Sequence, residues 1–273
     1  MAFAEIGAIR LYYEEHGAGE PLVLSHEFAG SVKSWEPQLE LSRSYRLVLY
    51  NSRGYPPSTV PADPAEYSQD HSVEDLRRLL DTLRIPRAIV GGFSMGGSIA
   101  LSFALRYPDR VDALILAGTG TGSADKGQFA LDFAPIADRL EREGARAVAD
   151  DYLEGPTRIQ LLRKSPARWQ KLRDEFAELS GHGLAKTLRG VQLRRPTMYE
   201  LEGGLKTLRV PTLVLVGNED APALDASRFL AARIPDAILH VLPATGHTLN
   251  LEEPEAFNGI ILDFLRDRRR PRT

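Results

Sequence analysis

Three residue types in one order set the chemistry that this chain can carry: a serine between glycines, then an acid, then a histidine. The serine is Ser94, in Gly92-Phe93-Ser94-Met95-Gly96. A serine hydroxyl is a weak nucleophile until a base takes its proton and the backbone holds it exposed. Small residues two before and two after allow a strained strand-to-helix turn with the serine at its apex. In such a turn the following amide, that of Met95, points at a developing oxyanion, at the positive end of a helix. The acid is expected next, and "LVLVGNEDAP" ends an apolar run with Asp220. Glu219 and Asp225 compete with it, and Asp220 is favoured for its tighter offset from the run. The base follows in "LPATGHTLNLEEPEAF" as His247. Alone, that histidine reads as a surface or capping residue; the ordered trio makes it a base.

The elements that must position this trio are legible as short apolar runs alternating with helical patterns. "PLVLS" (21–25), "YRLVLY" (45–50), "RAIVGG" (87–92), "VDALILAG" (111–118), "PTLVLVG" (211–217) and "AILHVLP" (237–243) read as strands covered on both faces. The opening "MAFAEIGAIRLYYEEHG" alternates apolar and polar residues and reads as a further strand, not a signal peptide. Between the runs, "SVEDLRRLLDTL" begins with Ser72 and Asp75 spaced as a capping box. "SMGGSIALSFALRY" repeats apolar positions at helical spacing and stops at Pro108, and a last helix follows Pro254. Alternation of this kind predicts an α/β fold, with a mainly parallel central sheet and helices on both faces. The rhythm breaks between about 121 and 206, where helical patterns occur without a convincing strand. Residues 1–120 and 207–273 are therefore expected to form the core, and 121–206 a helical cap inserted before the last two strands.

Composition narrows the function classes. The chain has 273 residues with 43% hydrophobic and 26% charged residues, enough for a sizeable core. A net charge of −3 offers no basic field to nucleic acid. The arginine-rich tail "RDRRRPRT" reads as a solvated end. The absence of cysteine excludes disulfides and thiol chemistry. No apolar run approaches the roughly 20 residues of a membrane span, so a cytoplasmic protein is expected. Phosphate-loop, dinucleotide and metal-spacing signatures are absent, so neither cofactor nor metal is expected.

With these motifs in place, the chain resembles the α/β-hydrolase fold family over essentially its whole length. "GFSMGG", "VGNED", "GHTLNLEEP", "SHEFAG" and "NSRGYPPS" carry the resemblance. It looks most like lidded bacterial carboxylesterases, enol-lactonases, carbon–carbon bond hydrolases and cofactor-free haloperoxidases. The resemblance implies a Ser94–His247–Asp220 triad and an oxyanion hole made by the amides of Phe28 and Met95. Ser94 stands where epoxide hydrolases and haloalkane dehalogenases carry aspartate, which argues against those two chemistries.

Two stretches depart from the family pattern. His26 is followed by Glu27 where relatives usually carry glycine, and Asn51 stands where many have aspartate. A buried Glu27–Arg53 pair supporting the oxyanion loop and His26 is the favoured expectation, because a buried charge needs a partner. The other reading points Glu27 into the pocket as an extra acid. In the cap, Phe129, Phe133, Trp169, His182, Met198 and Tyr199 are candidate pocket walls, although apolar residues at helical spacing serve equally as core. His182, between two glycines, is the best candidate there for a polar contact. The expected activity is cofactor-independent hydrolysis of a small ester or lactone. A carbon–carbon hydrolase, a perhydrolase and a ligand receptor with little turnover are the rivals.

Overall fold

The structure, a computed structural model, describes residues 2–268. The opening segment is a hairpin, not one strand: Ala2–Ile6 (β1) and Ile9–His16 (β2) pair antiparallel around Gly7. Gly7 has φ +64°, a conformation glycine adopts without a Cβ penalty, and it breaks the alternation that looked continuous. The six expected strands follow as Pro21–Ser25 (β3), Arg46–Tyr50 (β4), Ala88–Phe93 (β5), Val111–Ala117 (β6), Thr212–Gly217 (β7) and Ala237–Leu242 (β8). They form one sheet in the order β1-β2-β4-β3-β5-β6-β7-β8, parallel from β4 through β8.

Along the central strands, alternate residues enter two separate cores. Val23, Val48, Val90, Leu114 and Val214 face one, while Leu24, Leu49, Ile89, Ile115 and Leu213 face the other. The first core is closed by Gln69–Thr82 (α1) and Met95–Arg106 (α2). Six helices between β6 and β7 also belong to it: Lys126–Glu143 (α3), Ala149–Leu153 (α4), Ile159–Lys164 (α5), Pro166–Ala177 (α6), Gly181–Thr187 (α7) and Glu202–Thr207 (α8). The second core packs Trp35 and Phe93 against Phe257 and Ile261. Those last two residues belong to Pro254–Asp267 (α11), which follows Ala221–Arg233 (α9) and the short turn Leu249–Glu252 (α10).

The start of α1 differs from expectation. Ser68 caps it by accepting from the His71 amide, one turn before Ser72. Ser72 lies inside the helix and donates its hydroxyl to the Ser68 carbonyl at 3.0 Å. Asp75 has a different task. It accepts two bonds from Arg53, Nε to Oδ2 at 2.6 Å and Nη2 to Oδ1 at 2.7 Å. Arg53 also donates Nη1 to the Glu66 carbonyl at 2.6 Å and to its carboxylate at 3.0 Å. The expected Glu27–Arg53 pair does not form. Adjacent strand ends suggested it, but the matching carboxylate comes from α1, which crosses beside that loop. Asn51 ties the loops with its amide instead, accepting from Val32 N–H at 2.8 Å and donating to the Pro56 carbonyl at 2.7 Å.

At the carboxyl terminus, Arg266 pairs with Asp263 and Arg268 pairs with Glu20. The remaining arginines of the tail, Arg269, Arg270 and Arg272, lie outside the described residues.

Arg53 and Asp75 are both more than nine-tenths buried, so Arg53→Met should strand a buried carboxylate. The expected loss in urea unfolding is about 3–5 kcal/mol. Adding Asp75→Asn should recover part of it, because the uncompensated charge disappears with its partner. A loss below about 1 kcal/mol in the single variant would show that the pair carries little.

Candidate active site

Ser94 follows β5 and caps α2 with φ 53° and ψ −108°, a sparsely populated conformation for a residue bearing a Cβ. Such strain persists only where packing over-determines it, and two glycines supply the packing. A Cβ on Gly92 would come within 2.2 Å of the Gly96 carbonyl carbon, and one on Gly96 within 2.0 Å of the Ser25 oxygen. The same Gly96 position would come within 2.7 Å of the His26 oxygen. The chain leaving β3 is thus pressed onto the start of α2, which brings the loop of Phe28 beside Met95. Both residues are buried.

From Ser94 a hydrogen-bond chain runs inward. Its Oγ lies 2.9 Å from His247 Nε2, and His247 Nδ1 lies 2.6 Å from Asp220 Oδ2. A carboxylate only accepts, so Nδ1 carries the proton and Nε2 is left to accept from the serine hydroxyl. All three residues are buried. The competing acids sit elsewhere. Glu219 accepts from Gln160 at 3.1 Å, and the exposed Asp225 pairs with Arg228 at 3.3 Å.

Tight backbone contact sets the acid against the histidine. A Cβ on Gly217, at the end of β7, would come within 2.1 Å of the Thr245 oxygen. Glu252 then braces the histidine loop, accepting from Gly246 N–H at 2.8 Å and from the Thr248 hydroxyl at 2.9 Å. The His247 amide donates to the Thr157 carbonyl at 2.6 Å, a contact from the segment between β6 and β7. Neither Glu252 nor Thr157 emerged from the sequence as a site residue. Glu252 lies within the quoted "GHTLNLEEP", whereas Thr157 contributes only backbone and leaves no signal in residue type.

His26 supports the loop from below. Its Nε2 accepts from Ser52 N–H at 3.0 Å and its Nδ1 donates to the Glu27 carbonyl at 2.7 Å. Burial lowers its pKa to about 4, so the ring stays neutral while both bonds hold. Glu27 is buried as well, and its carboxyl occupies the space beside Gly30 where a Cβ would lie 2.3 Å from Cδ. Oε2 has no hydrogen-bond partner among the described residues. Burial pushes this carboxyl up to about 7, with Glu175 raising it further and the Ser34 hydroxyl and Arg158 acting against the shift.

The cap candidates divide. Trp169 and Met198 are buried, and Phe129 stacks on Phe133 at 4.3 Å between ring centroids. His182 is exposed on the outer surface and meets Glu141 at 3.0 Å, so it is not a pocket contact. Tyr199 is also largely outside, 39% exposed and packed edge-on against Phe229. The flanking glycines that singled out His182 serve packing instead. Gly181 lies against the Leu140 carbonyl and Gly183 against that of Gly54, which fastens α7 to the loop after β4. The residue that does meet Phe28 is Tyr152, at 5.8 Å between rings, and it takes a hydrogen bond from Arg158 at 2.9 Å.

An eight-stranded, mostly parallel sheet with a strained serine turn and a serine–histidine–acid chain defines a class of hydrolases. The chain belongs to the α/β hydrolase fold family, whose pattern matches residues 20–254. It is 32% identical over 267 residues to a Stutzerimonas stutzeri protein named as a carbamate hydrolase, covering 93% of this chain and 96% of that one. It is 28% identical over 271 residues to the 2-hydroxy-6-oxo-6-phenylhexa-2,4-dienoate hydrolase of Comamonas testosteroni, covering 94% and 92%. The crystal structure of the enol-lactonase from Burkholderia xenovorans superposes with a TM-score of 0.87 at 28% identity, covering 97% of this chain and 100% of that one. Among the described residues no helix is long and apolar enough to cross a membrane.

The raised pKa of Glu27 fixes the sign of a pH effect. The folded protein holds this proton more tightly than the unfolded chain, whose carboxyl titrates near 4.5. The stabilisation is complete below that value and is lost as pH rises through about 7. Melting temperatures from pH 5 to 8 should therefore fall in the wild type, and Glu27→Gln, which keeps the neutral shape, should flatten much of that fall. Equal slopes in the two proteins would remove Glu27 as the source.

Proposed function

We propose that this protein is a cofactor-independent serine hydrolase that cleaves a small carboxylic ester or lactone. The observation that carries the proposal is the hydrogen-bond chain from Ser94 through His247 to Asp220, ending on a serine in a strained turn. Ser94 Oγ attacks the substrate carbonyl while His247 Nε2 takes its proton, and the Asp220 carboxylate stabilises the imidazolium and fixes its tautomer. The amides of Phe28 and Met95 receive the negative charge on the carbonyl oxygen, helped by the positive end of α2. The proton on His247 passes to the leaving alkoxide, giving an acyl-enzyme. Water, deprotonated by the same histidine, then releases the acid and restores the serine.

Residues 121–206 act as a cap over this chemistry. The reading is supported by the Thr157 carbonyl holding the His247 amide and by Tyr152 packing on Phe28. Cleavage of a carbon–carbon bond beside a ketone is the second reading, motivated by the Comamonas relative and feasible with the same three residues. Parallel assays with p-nitrophenyl butyrate, butyrolactone and a 2-hydroxy-6-oxo-dienoate rank the two directly.

Ser94→Ala should lower kcat on p-nitrophenyl butyrate by at least about 10³-fold with an unchanged circular dichroism spectrum, because the three residues act as a unit. More than a tenth of wild-type kcat in a clean preparation would overturn the assignment of the nucleophile.

Asp220→Asn should cost about 10²- to 10⁴-fold in kcat by disturbing the histidine tautomer, against about twofold or less for Asp225→Asn. A larger loss at Asp225 would move the acid.

A further inference from the structure

Glu27, Phe28, Ala29 and Gly30 form a four-residue turn, closed by the Gly30 N–H donating to the Glu27 carbonyl at 3.2 Å. The turn is strained. Its third residue, Ala29, is buried and holds φ 67°, a conformation that favours glycine. Its second residue, Phe28, carries one of the two amides assigned above to the oxyanion. The Glu27 carboxyl folds back into this turn. A Cβ on Gly30 would lie within 2.3, 2.4 and 2.5 Å of its Cδ, Oε1 and Oε2, so glycine at position 30 is what leaves room for it. Residue 27 is thus built into the turn twice. Its carbonyl accepts from His26 Nδ1 and from Gly30, and its side chain fills the space inside.

The groups packed around this carboxyl suit a neutral acid better than a charge. Oε2 has no hydrogen-bond partner among the described residues. From the 3₁₀ helix Val32–Arg43, the Ser34 hydroxyl favours the charged form. The loop after β4 brings Tyr55, a phenol kept neutral by burial. Its ring meets His26 edge-on at 4.6 Å and its hydroxyl donates to Met95 Sδ at 3.9 Å. From α4 comes Tyr152, likewise kept neutral by burial and packed on Phe28. Arg158 favours the charged form, but its guanidinium lies over the Tyr152 ring at 4.3 Å and donates Nη2 to the Tyr152 hydroxyl at 2.9 Å. From α6 comes Glu175, a second carboxyl that opposes ionisation of the first, with Lys171, Lys33, Glu36 and Glu178 acting on it in turn. His26, the preceding residue, is neutral and contributes no charge. Burial decides the balance, and the proton is held up to about pH 7.

We infer that Glu27 is a positioning residue for the oxyanion amide: as a neutral acid its side chain wedges the turn that presents Phe28, and as a carboxylate it opens that turn and slows turnover. Ionisation sends the proton to solvent and leaves a charge whose Oε2 meets no donor. Water reaches that oxygen only if the turn opens, because Phe28, Ala29 and Gly30 are all buried. One 3.2 Å bond closes the turn, and the strain at Ala29 is relieved when it parts. Ser94, His247 and Asp220 stand on other elements, so opening removes a donor from the transition state and leaves the nucleophile and base in place. The inference rests on the hydrolase reading for the role of the Phe28 amide, but opening of the turn can be measured without turnover.

The test compares the wild type with Glu27→Gln, its neutral isostere, and with Glu27→Ala. On p-nitrophenyl butyrate, wild-type kcat should fall about tenfold between pH 7 and pH 8.5 while KM stays within about twofold, as for a group that must keep its proton. In Glu27→Gln the same fall should be less than about twofold. Glu27→Ala, which empties the space inside the turn, should be slower than Glu27→Gln by about tenfold at pH 7, so that the isostere restores what the truncation loses. Hydrogen exchange reads the turn directly. Protection factors of amides 27–31, taken relative to those of β5, should drop about tenfold from pH 6.5 to pH 8.5 in the wild type and hold level in Glu27→Gln. Wild-type kcat that does not fall, or a fall that persists in folded Glu27→Gln, overturns the inference whether or not Glu27→Ala folds. Wild-type protection that ignores pH overturns it as well. Opening of the turn that depends on Glu27, in a protein that hydrolyses no ester, would uphold the wedge and remove the hydrolase reading instead.

Discussion

The backbone at Ser94, held at φ 53° and ψ −108°, is the constraint on which the rest of the site depends. A conformation of this kind costs of order 1–3 kcal/mol and relaxes unless its surroundings prevent it. Here Gly92 and Gly96 touch each other, and Gly96 touches the last carbonyls of β3 and its loop, so no rearrangement is open. The same contacts press the loop after β3 onto the start of α2. The strain at Ser94 and the seating of the loop after β3 are therefore one piece of packing seen from two sides.

Around that point the chain distributes its buried charges unequally. Arg53 is fully compensated by Asp75 and Glu66, and Glu252 by a backbone amide, a hydroxyl and the approach of Lys164 at 3.6 Å. These pairs hold loops and leave little capacity unused. Glu27 and Arg195 differ. Glu27 answers its isolation by holding a proton, since a carboxyl can neutralise itself near pH 7. A guanidinium cannot, so Arg195 keeps its charge and donates to two neutral acceptors, the Ser98 hydroxyl and the Thr121 carbonyl.

The segment between β6 and β7 contributes to the site mainly through backbone. The Thr157 carbonyl steadies the histidine loop, and the Gly183 contact with Gly54 seats α7 on the core. Its helices share one hydrophobic core with α1 and α2, which makes the segment part of the folded unit. Anchored in this way, the segment brings the Thr157 carbonyl to the His247 amide and the Tyr152 ring to Phe28.

The sequence by itself determined the six parallel strands β3 to β8, the serine turn, the order serine–acid–histidine and the helical break before β7, whereas the opening hairpin read as one strand. Each of these is written in local pattern: apolar runs, glycines at fixed offsets, and strand-end position. Asp220 was preferred over Glu219 and Asp225 by its offset from β7, and its Oδ2 lies 2.6 Å from His247 Nδ1. Only the tertiary structure decided the partners of buried charges. Arg53 met Asp75 on α1 in place of Glu27, Arg195 met the Ser98 hydroxyl and the Thr121 carbonyl, and His182 turned outward to Glu141. Nothing in the residues around Arg53 distinguishes an acid two elements away from one on a neighbouring strand. Local pattern fixes which face a side chain takes, but charge pairing depends on how whole elements cross, and that is set by packing across the entire core.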